Sequence, residues 1–124
     1  MSLSKEQSVG REDLERIFKA LANANRLRIL KMFQEKPMCV CEIRFVLGIS
    51  QPTVSRHLQV LKQAGLIENR TQGPWVNYQI RNYPTGHPIK TILSLLSSAQ
   101  KEEIFEADRK RMEKANRYQI CRRK

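Results

Sequence analysis

Ser50-Gln51-Pro52-Thr53-Val54-Ser55-Arg56-His57-Leu58-Gln59-Val60-Leu61 is the stretch whose reading decides the fold. Ser50 is a helix-capping residue type, and Pro52 falls in the first turn, where a missing amide hydrogen is tolerated. At about 100° per residue, Val54, Leu58 and Leu61 share a buried face. Arg56 then lies nearly opposite, flanked more widely by Pro52, Thr53, Ser55 and Gln59. Arg bridges guanine, Gln pairs with adenine, and Ser or Thr reach bases or phosphates, so this face suits a DNA groove. The backbone N–H groups around Ser50, Gln51 and Thr53 open a helix N-terminus, which favours a phosphate. His57 sits at the edge of the apolar stripe and reads as a packed or hydrogen-bonded residue.

The surrounding chain supplies a frame for that helix. A third helix is expected from about Cys41 to Leu47, stopped by Gly48 in a left-handed cap. Leu27, Ile29, Leu30 and Phe33 mark a second helix, with Asn25 as its N-cap and its end before Pro37. Leu14, Ile17, Phe18 and Leu21 mark a first, with Glu12, Asp13 and Glu15 favourably placed in its first turn. After Gly65, Leu66–Arg70 and Trp75–Ile80 flank Thr71-Gln72-Gly73-Pro74 as a β-hairpin, or wing, with Val76, Tyr78 and Ile80 on one face. Arg70 is a plausible phosphate contact there, and Trp75 is expected to pack beside the hairpin. One long last helix is predicted from near Ile89 through Leu93 and Leu96 to Met112.

The predicted fold is therefore mainly α with a small β-hairpin: a winged helix-turn-helix of about five helices. The first and last helices carry more apolar surface than one small domain easily buries. That surface predicts a homodimer through both, as paired half-site binding requires. Residues 1–10 read as a flexible arm, 11–108 as the DNA-binding and dimerisation domain, and 109–124 as a basic helix end or tail.

Composition agrees with a polyanionic partner. The 124 residues carry a formal net charge of +11. Residues 1–108 account for only +4, and residues 109–124 for +7, so most of the excess belongs to the tail. That tail reads either as a solvated helix end or as a phosphate contact. The polar start Met1-Ser2-Leu3-Ser4-Lys5 lacks the apolar stretch of a signal peptide, and no stretch is long and apolar enough to span a bilayer. A cytoplasmic protein without a membrane partner is expected. Its three cysteines then read as thiols, not as a disulfide framework.

Two of those thiols, Cys39 and Cys41, stand at the entry to the third helix. Within a regular helix, residues i and i+2 point about 200° apart and cannot close on one ion. Pro37 stands just before, so a non-helical Cys39 would bring both sulfurs to one side. A helix N-terminus favours thiolate, and thiolates select soft ions. Capture would distort the first turn of the third helix. Ile43, Val46 and Leu47 would carry the distortion to the fourth, shifting Arg56 in the groove. Cys121 reads either as a third ligand or as a surface thiol in a basic tail.

Ile17–Ala22, Asn25–Leu30, Cys39-Val40-Cys41-Glu42, Ser50–Leu58 and Leu61–Ile67, in that order, resemble the ArsR/SmtB family of metalloregulatory repressors over residues 13–96. The resemblance implies a homodimeric winged helix-turn-helix repressor that leaves double-stranded operator DNA, an inverted repeat, when an inducer binds. Cys39 and Cys41 match the thiol site of arsenic-, antimony-, cadmium- and lead-responsive members. As(III) or Sb(III) is then the implied inducer, with Cd(II) and Pb(II) as further candidates, and there is no permanent cofactor. Arg44 stands where one arsenic-responsive subgroup has a further cysteine. Residues 1–38 hold none of the cysteines of the cadmium/lead type, and the zinc-type Asp/His set on the last helix is missing. Cys121 or an outside thiol is left as the third ligand.

Two other readings compete: the same repressor sensing oxidants or reactive sulfur through its cysteines, and an effector-independent DNA-binding protein. An enzyme is not expected. The chain has two histidines, no phosphate-cradling Gly-rich loop and no nucleophile–base spacing; Ser55 and His57 are only i, i+2 neighbours.

Overall fold

The computed structural model describes residues 9–99 and 102–120. The first eight residues of the expected arm, and Cys121, lie outside the described residues. The chain forms α1 (Arg11–Leu21), α2 (Ala24–Glu35), α3 (Val40–Leu47) and α4 (Gln51–Gln63), then β1 (Ile67–Gln72) and β2 (Trp75–Ile80). It continues through α5 (Pro88–Ser94), a 3-10 helix (Leu95–Ala99), α6 (Glu103–Lys114) and α7 (Arg117–Ile120). This is a winged helix-turn-helix: α3 and α4 form the paired unit, and the antiparallel β1–β2 hairpin is the wing. No described helix is long and apolar enough to cross a membrane.

Local chemistry accounts for most boundaries. Gly48 takes φ +68° and closes α3 in the left-handed region, where a Cβ would be strained. The Ser50 hydroxyl accepts the Thr53 amide and also bonds the Thr53 hydroxyl at 2.8 Å, opening α4 with Pro52 in its first turn. The N-cap of α2 is Asn23, two residues earlier than the expected Asn25. Its side chain accepts the Arg26 amide at 3.1 Å, while Asn25 faces Arg28. The strands run on to Gln72, leaving Gly73-Pro74 as the tip.

The single long last helix is not found. It is broken after Ser94, passes through the 3-10 helix and resumes as α6 after Glu102, which is extended. The helix count among the described residues is therefore seven α-helices, not about five. Ser94 and Ser98 donate their hydroxyls back to the carbonyls of Thr91 and Leu95, both at 2.6 Å. Serines that compete for backbone carbonyls in this way weaken and bend a helix. The break lets α6 fold back across α2 and α3. There the buried Asp108 receives a bidentate pair from Arg28, at 2.9 and 2.8 Å.

Ile17, Ile29, Leu30, Ile43, Val46, Val54, Leu58 and Leu61 join α1 to α4 in one core, to which the wing adds Ile67 and α6 adds Met112. Basic side chains close its helix ends. Arg26 donates to the carbonyls of Ala20 and Lys19, at 2.7 and 3.0 Å, where α1 runs out of its own donors. Arg111 does the same for Val46 in α3, at 2.9 Å. The remaining arm of Arg26 meets His57 Nδ1 at 3.3 Å, so Nδ1 is the acceptor and His57 is packed, as the apolar stripe implied. Burial, then the charges of Arg26 and Arg56, lower the His57 pKa.

Asp108→Ala leaves Arg28 without its carboxylate partner, with only Asn25 still accepting from it, and breaking such a pair costs about 3 kcal/mol. Urea unfolding should show that loss; a change within error would mean α6 is not held by this pair. Because His57 is depressed in the folded state, the unfolded chain takes its proton first. Stability should be full above the ordinary His value of 6.5 and fall as pH drops below it toward the lowered folded value. Melting curves at a series of pH values should show that decline in the wild type and less of it in His57→Gln.

Candidate functional site

The exposed face of α4 is the first part of the site. Ser50, Gln51, Ser55, Arg56 and Gln59 are exposed and Thr53 is half-buried, while Val54, Leu58 and Leu61 are fully in the core. The sequence-derived groove residues therefore share one open surface, and the helix N-terminus, with its Ser50 cap, opens at one end of it. Arg70 projects from the wing with its side chain 71% exposed, 3.7 Å from Glu68. No acid stands in the first turn of α4, so nothing there repels a phosphate. This arrangement offers a planar cation, an amide and hydroxyls on one rigid helix, with a further cation on a flanking hairpin.

The thiols form the second part. Cys39 is the N-cap of α3, with φ −89° and ψ 166°, and is therefore extended, not helical. It is buried, whereas Cys41, inside the first turn, is half-buried. The irregular entry that joint capture of one ion requires is thus present. Among the described residues no group of three or more His, Cys, Asp or Glu could hold a metal ion, so two thiols are what the described chain offers to a soft ligand. His87 stands apart from the thiols and caps a helix. Its ring accepts the Ile89 amide at 3.1 Å as the N-cap of α5 and stacks on Tyr83.

Several residues around the thiols were not singled out from the sequence. Glu42 is 4% exposed and closes a capping box with Cys39, its Oε1 accepting the Cys39 amide at 3.0 Å. The same Oε1 accepts Nη2 of Arg117 at 2.8 Å. Burial would push the Glu42 carboxyl up, but the bonds from Cys39 and Arg117, together with the Arg117 charge, hold it below its usual value. Arg117 Nη2 also donates to Asn77 Oδ1 in β2 at 2.7 Å, and Asn77 Nδ2 donates to Gln72 Oε1 at 2.8 Å. The spacing of Cys39 and Glu42 is a legible capping signal. Arg117 and Asn77 come from 75 and 40 residues apart in these bonds, and no local pattern announces them.

The wing meets the thiol segment directly as well. Met38, one residue before Cys39, makes both hydrogen bonds of an antiparallel bridge with Tyr78, at 3.0 and 2.8 Å. Tyr78 and Ile80 pack on the core as expected, but Val76 on the same face is 40% exposed. The opposite face of β2 is covered: Asn77 is buried, and Trp75 lies under Arg117 and edge-on to Tyr118. Trp75 thus packs beside the hairpin, against α7.

Comparison with known proteins agrees with this architecture. Residues 23–69 match the family described as "Bacterial regulatory protein, arsR family". The arsenic resistance transcriptional regulator ArsR1 of Pseudomonas putida is 43% identical over 65 residues, covering 52% of this chain and 51% of that protein. The alignment thus spans about half the length of that relative. An uncharacterized HTH-type transcriptional regulator of Methanocaldococcus jannaschii, MJ1325, is 46% identical over 70 residues, 56% of this chain and 79% of its own. The structure is similar to the homodimeric winged helix-turn-helix DNA-binding domain of Mb0332 from Mycobacterium bovis, a possible ArsR-family regulator. Its TM-score is 0.62 at 29% identity, over 83% of this chain and 92% of that one. With the paired helices and the thiol-bearing entry to α3 inside the matched residues 23–69, this chain belongs to the ArsR family of regulatory proteins.

Proposed function

We propose that this protein is a transcriptional repressor that binds double-stranded operator DNA and is released when As(III) or Sb(III) is captured by Cys39 and Cys41. The observation that carries the reading is the extended conformation of Cys39 at the mouth of α3, one helix away from the open Arg56 face. Cys39 is not held in helical register with Cys41, so both sulfurs can turn to one thiophilic centre. Cd(II) and Pb(II) are weaker candidates, since four-ligand sites would need more donors than the pair supplies. Cys121 or an outside thiol completes the set. Curated relatives named for arsenic resistance support the metalloid, and others named for cadmium resistance keep Cd(II) beside it.

On DNA, Arg56 and Gln59 read base edges, Ser50, Gln51, Thr53 and Ser55 hold the backbone and the groove rim, and Arg70 takes a phosphate from the wing. The active form is a homodimer on an inverted repeat. Phe18 of α1 is 57% exposed and Leu95, after α5, is 70% exposed; these apolar side chains suit a contact between copies through the first helix and the α5 region. Capture then strains the first turn of α3, which packs on α4, and tilts Arg56 away from its base. A 5–150-fold change in affinity needs a coupling of about 1–3 kcal/mol, which a small tilt in each half-site supplies.

Arg56→Ala should weaken operator binding by about 1–3 kcal/mol, and far less on an operator changed at the base it reads. A competition titration with single-base operator variants measures this; equal loss on all of them would leave Arg56 as a phosphate contact only. Arsenite should reduce the operator affinity of the wild type about fivefold or more and leave Cys39→Ser/Cys41→Ser bound. Mass spectrometry of the released protein distinguishes an arsenic adduct from a disulfide or polysulfide bridge, which would favour oxidant or sulfur sensing. Release of the double variant equal to that of wild type would end the proposal, and Cys121→Ser shows whether the third thiol is its own.

A further inference from the structure

We infer that Arg117 is a positioning residue that couples the mouth of α3 to the wing, so that the state of Cys39 and Cys41 is read at β2 as well as at α4. The inference rests on the thiol reading above, and goes beyond it by assigning a route and a residue. One nitrogen of Arg117 holds both ends: Glu42 Oε1 at 2.8 Å and Asn77 Oδ1 at 2.7 Å. The guanidinium also lies 5.2 Å from the centre of the Trp75 ring, and the next residue, Tyr118, meets that ring edge-on at 5.8 Å. The strap is therefore α7, laid over the face of β2 that carries Trp75 and Asn77 and packed against α3. It lies outside the residues of the family match, 23–69.

The coupling follows from geometry. Glu42 Oε1 is shared between the Cys39 amide and Arg117. For Cys39 and Cys41 to close on one centre, the first turn of α3 must open, because the buried Cys39 side chain is engaged in the capping box with Glu42 and has to leave it. That opening takes the Cys39 amide and the Glu42 carboxylate out of their shared arrangement, and Arg117 loses its Glu42 acceptor. A guanidinium that must re-pair pulls on Asn77, hence on Gln72 at the far side of the hairpin, and shifts over Trp75. Without the strap, the thiol segment touches the wing through the Met38–Tyr78 bridge, which constrains backbone and not the Trp75 face.

Trp75 is the only tryptophan of the chain, so its emission reports this contact directly. In the full-length protein, Arg117→Gln and Glu42→Gln should each shift that emission and speed hydrogen exchange of the wing amides at 67–80. The double variant should do no more than either one. Arg117→Lys, which keeps the charge, should restore part of the effect. With arsenite, Arg117→Gln should still form the adduct by mass spectrometry, lose the arsenite-induced emission change, and release operator about fivefold less than wild type. A wing unchanged in Arg117→Gln, or fully additive effects in the double variant, overturns the inference. So does wild-type arsenite release in Arg117→Gln, which would leave α4 or the Met38 bridge as the route. Failure of wild type to bind arsenite would overturn the thiol reading instead, and the metalloid-free cycle would still decide on Arg117. Should Arg117→Gln melt without cooperativity, Tyr118→Ala, which removes only the edge contact on Trp75, supplies the emission and exchange test by the same criteria.

Discussion

The buried carboxylate of Glu42 is the interaction on which the arrangement of the site depends. Its Oε1 closes the first turn of α3 on the Cys39 amide and receives Arg117 from the other end of the chain. A carboxylate can stay charged at 4% exposure only if its partners outweigh the desolvation cost. Here a capping amide and a guanidinium do so together. The consequence is that three segments are registered to one atom: the thiol-bearing entry, the helix-turn-helix that follows it, and the C-terminal helix α7. The wing joins through Asn77, which shares the same arginine.

The same use of arginine runs through the rest of the molecule. Arg26 closes α1 and holds His57 of α4, Arg28 holds Asp108 of α6, and Arg111 closes α3. Part of the positive charge that suggested a polyanionic partner is therefore engaged inside the protein, on carbonyls and buried acids. Of the tail's basic residues, Arg111 and Arg117 turn inward in this way. Arg56 and Arg70 instead present their charge outward, on helix α4 and on the wing. Fold and recognition thus draw on the same residue type, divided by whether a carbonyl or a solvent face lies nearest.

This division also sets the mechanics of a thiol switch. α3 is short, one side packed on α4 and its mouth tied to the wing. A rigid, close-packed core does not absorb a change at that mouth. It passes it on to the elements in contact. Two of the elements in contact, α4 and the wing, are the two that would touch DNA, and this gives a soft-ion site at Cys39 and Cys41 its leverage.

What the sequence determined by itself were the features set by neighbours along the chain. The capped recognition helix, the Gly48 turn, the apolar stripe Val54-Leu58-Leu61, the hairpin around Gly73 and the irregular Cys39 all follow from residue types at fixed short spacings. Periodicity and capping act over a few residues, so one chain suffices to read them. The tertiary structure decided the rest. Periodicity predicted one long last helix, yet serines bonding back to their own turns break it, and Asp108 finds Arg28 only after the chain reverses. Strand alternation puts Asn77 on the face opposite Val76, Tyr78 and Ile80, and only the fold shows that α7 covers it and brings Arg117 to it and to Glu42. Bonds between residues 40 and 75 positions apart leave no trace in local pattern, because the free energy of such contacts depends on which surfaces the folded chain brings together, and not on the residues beside them.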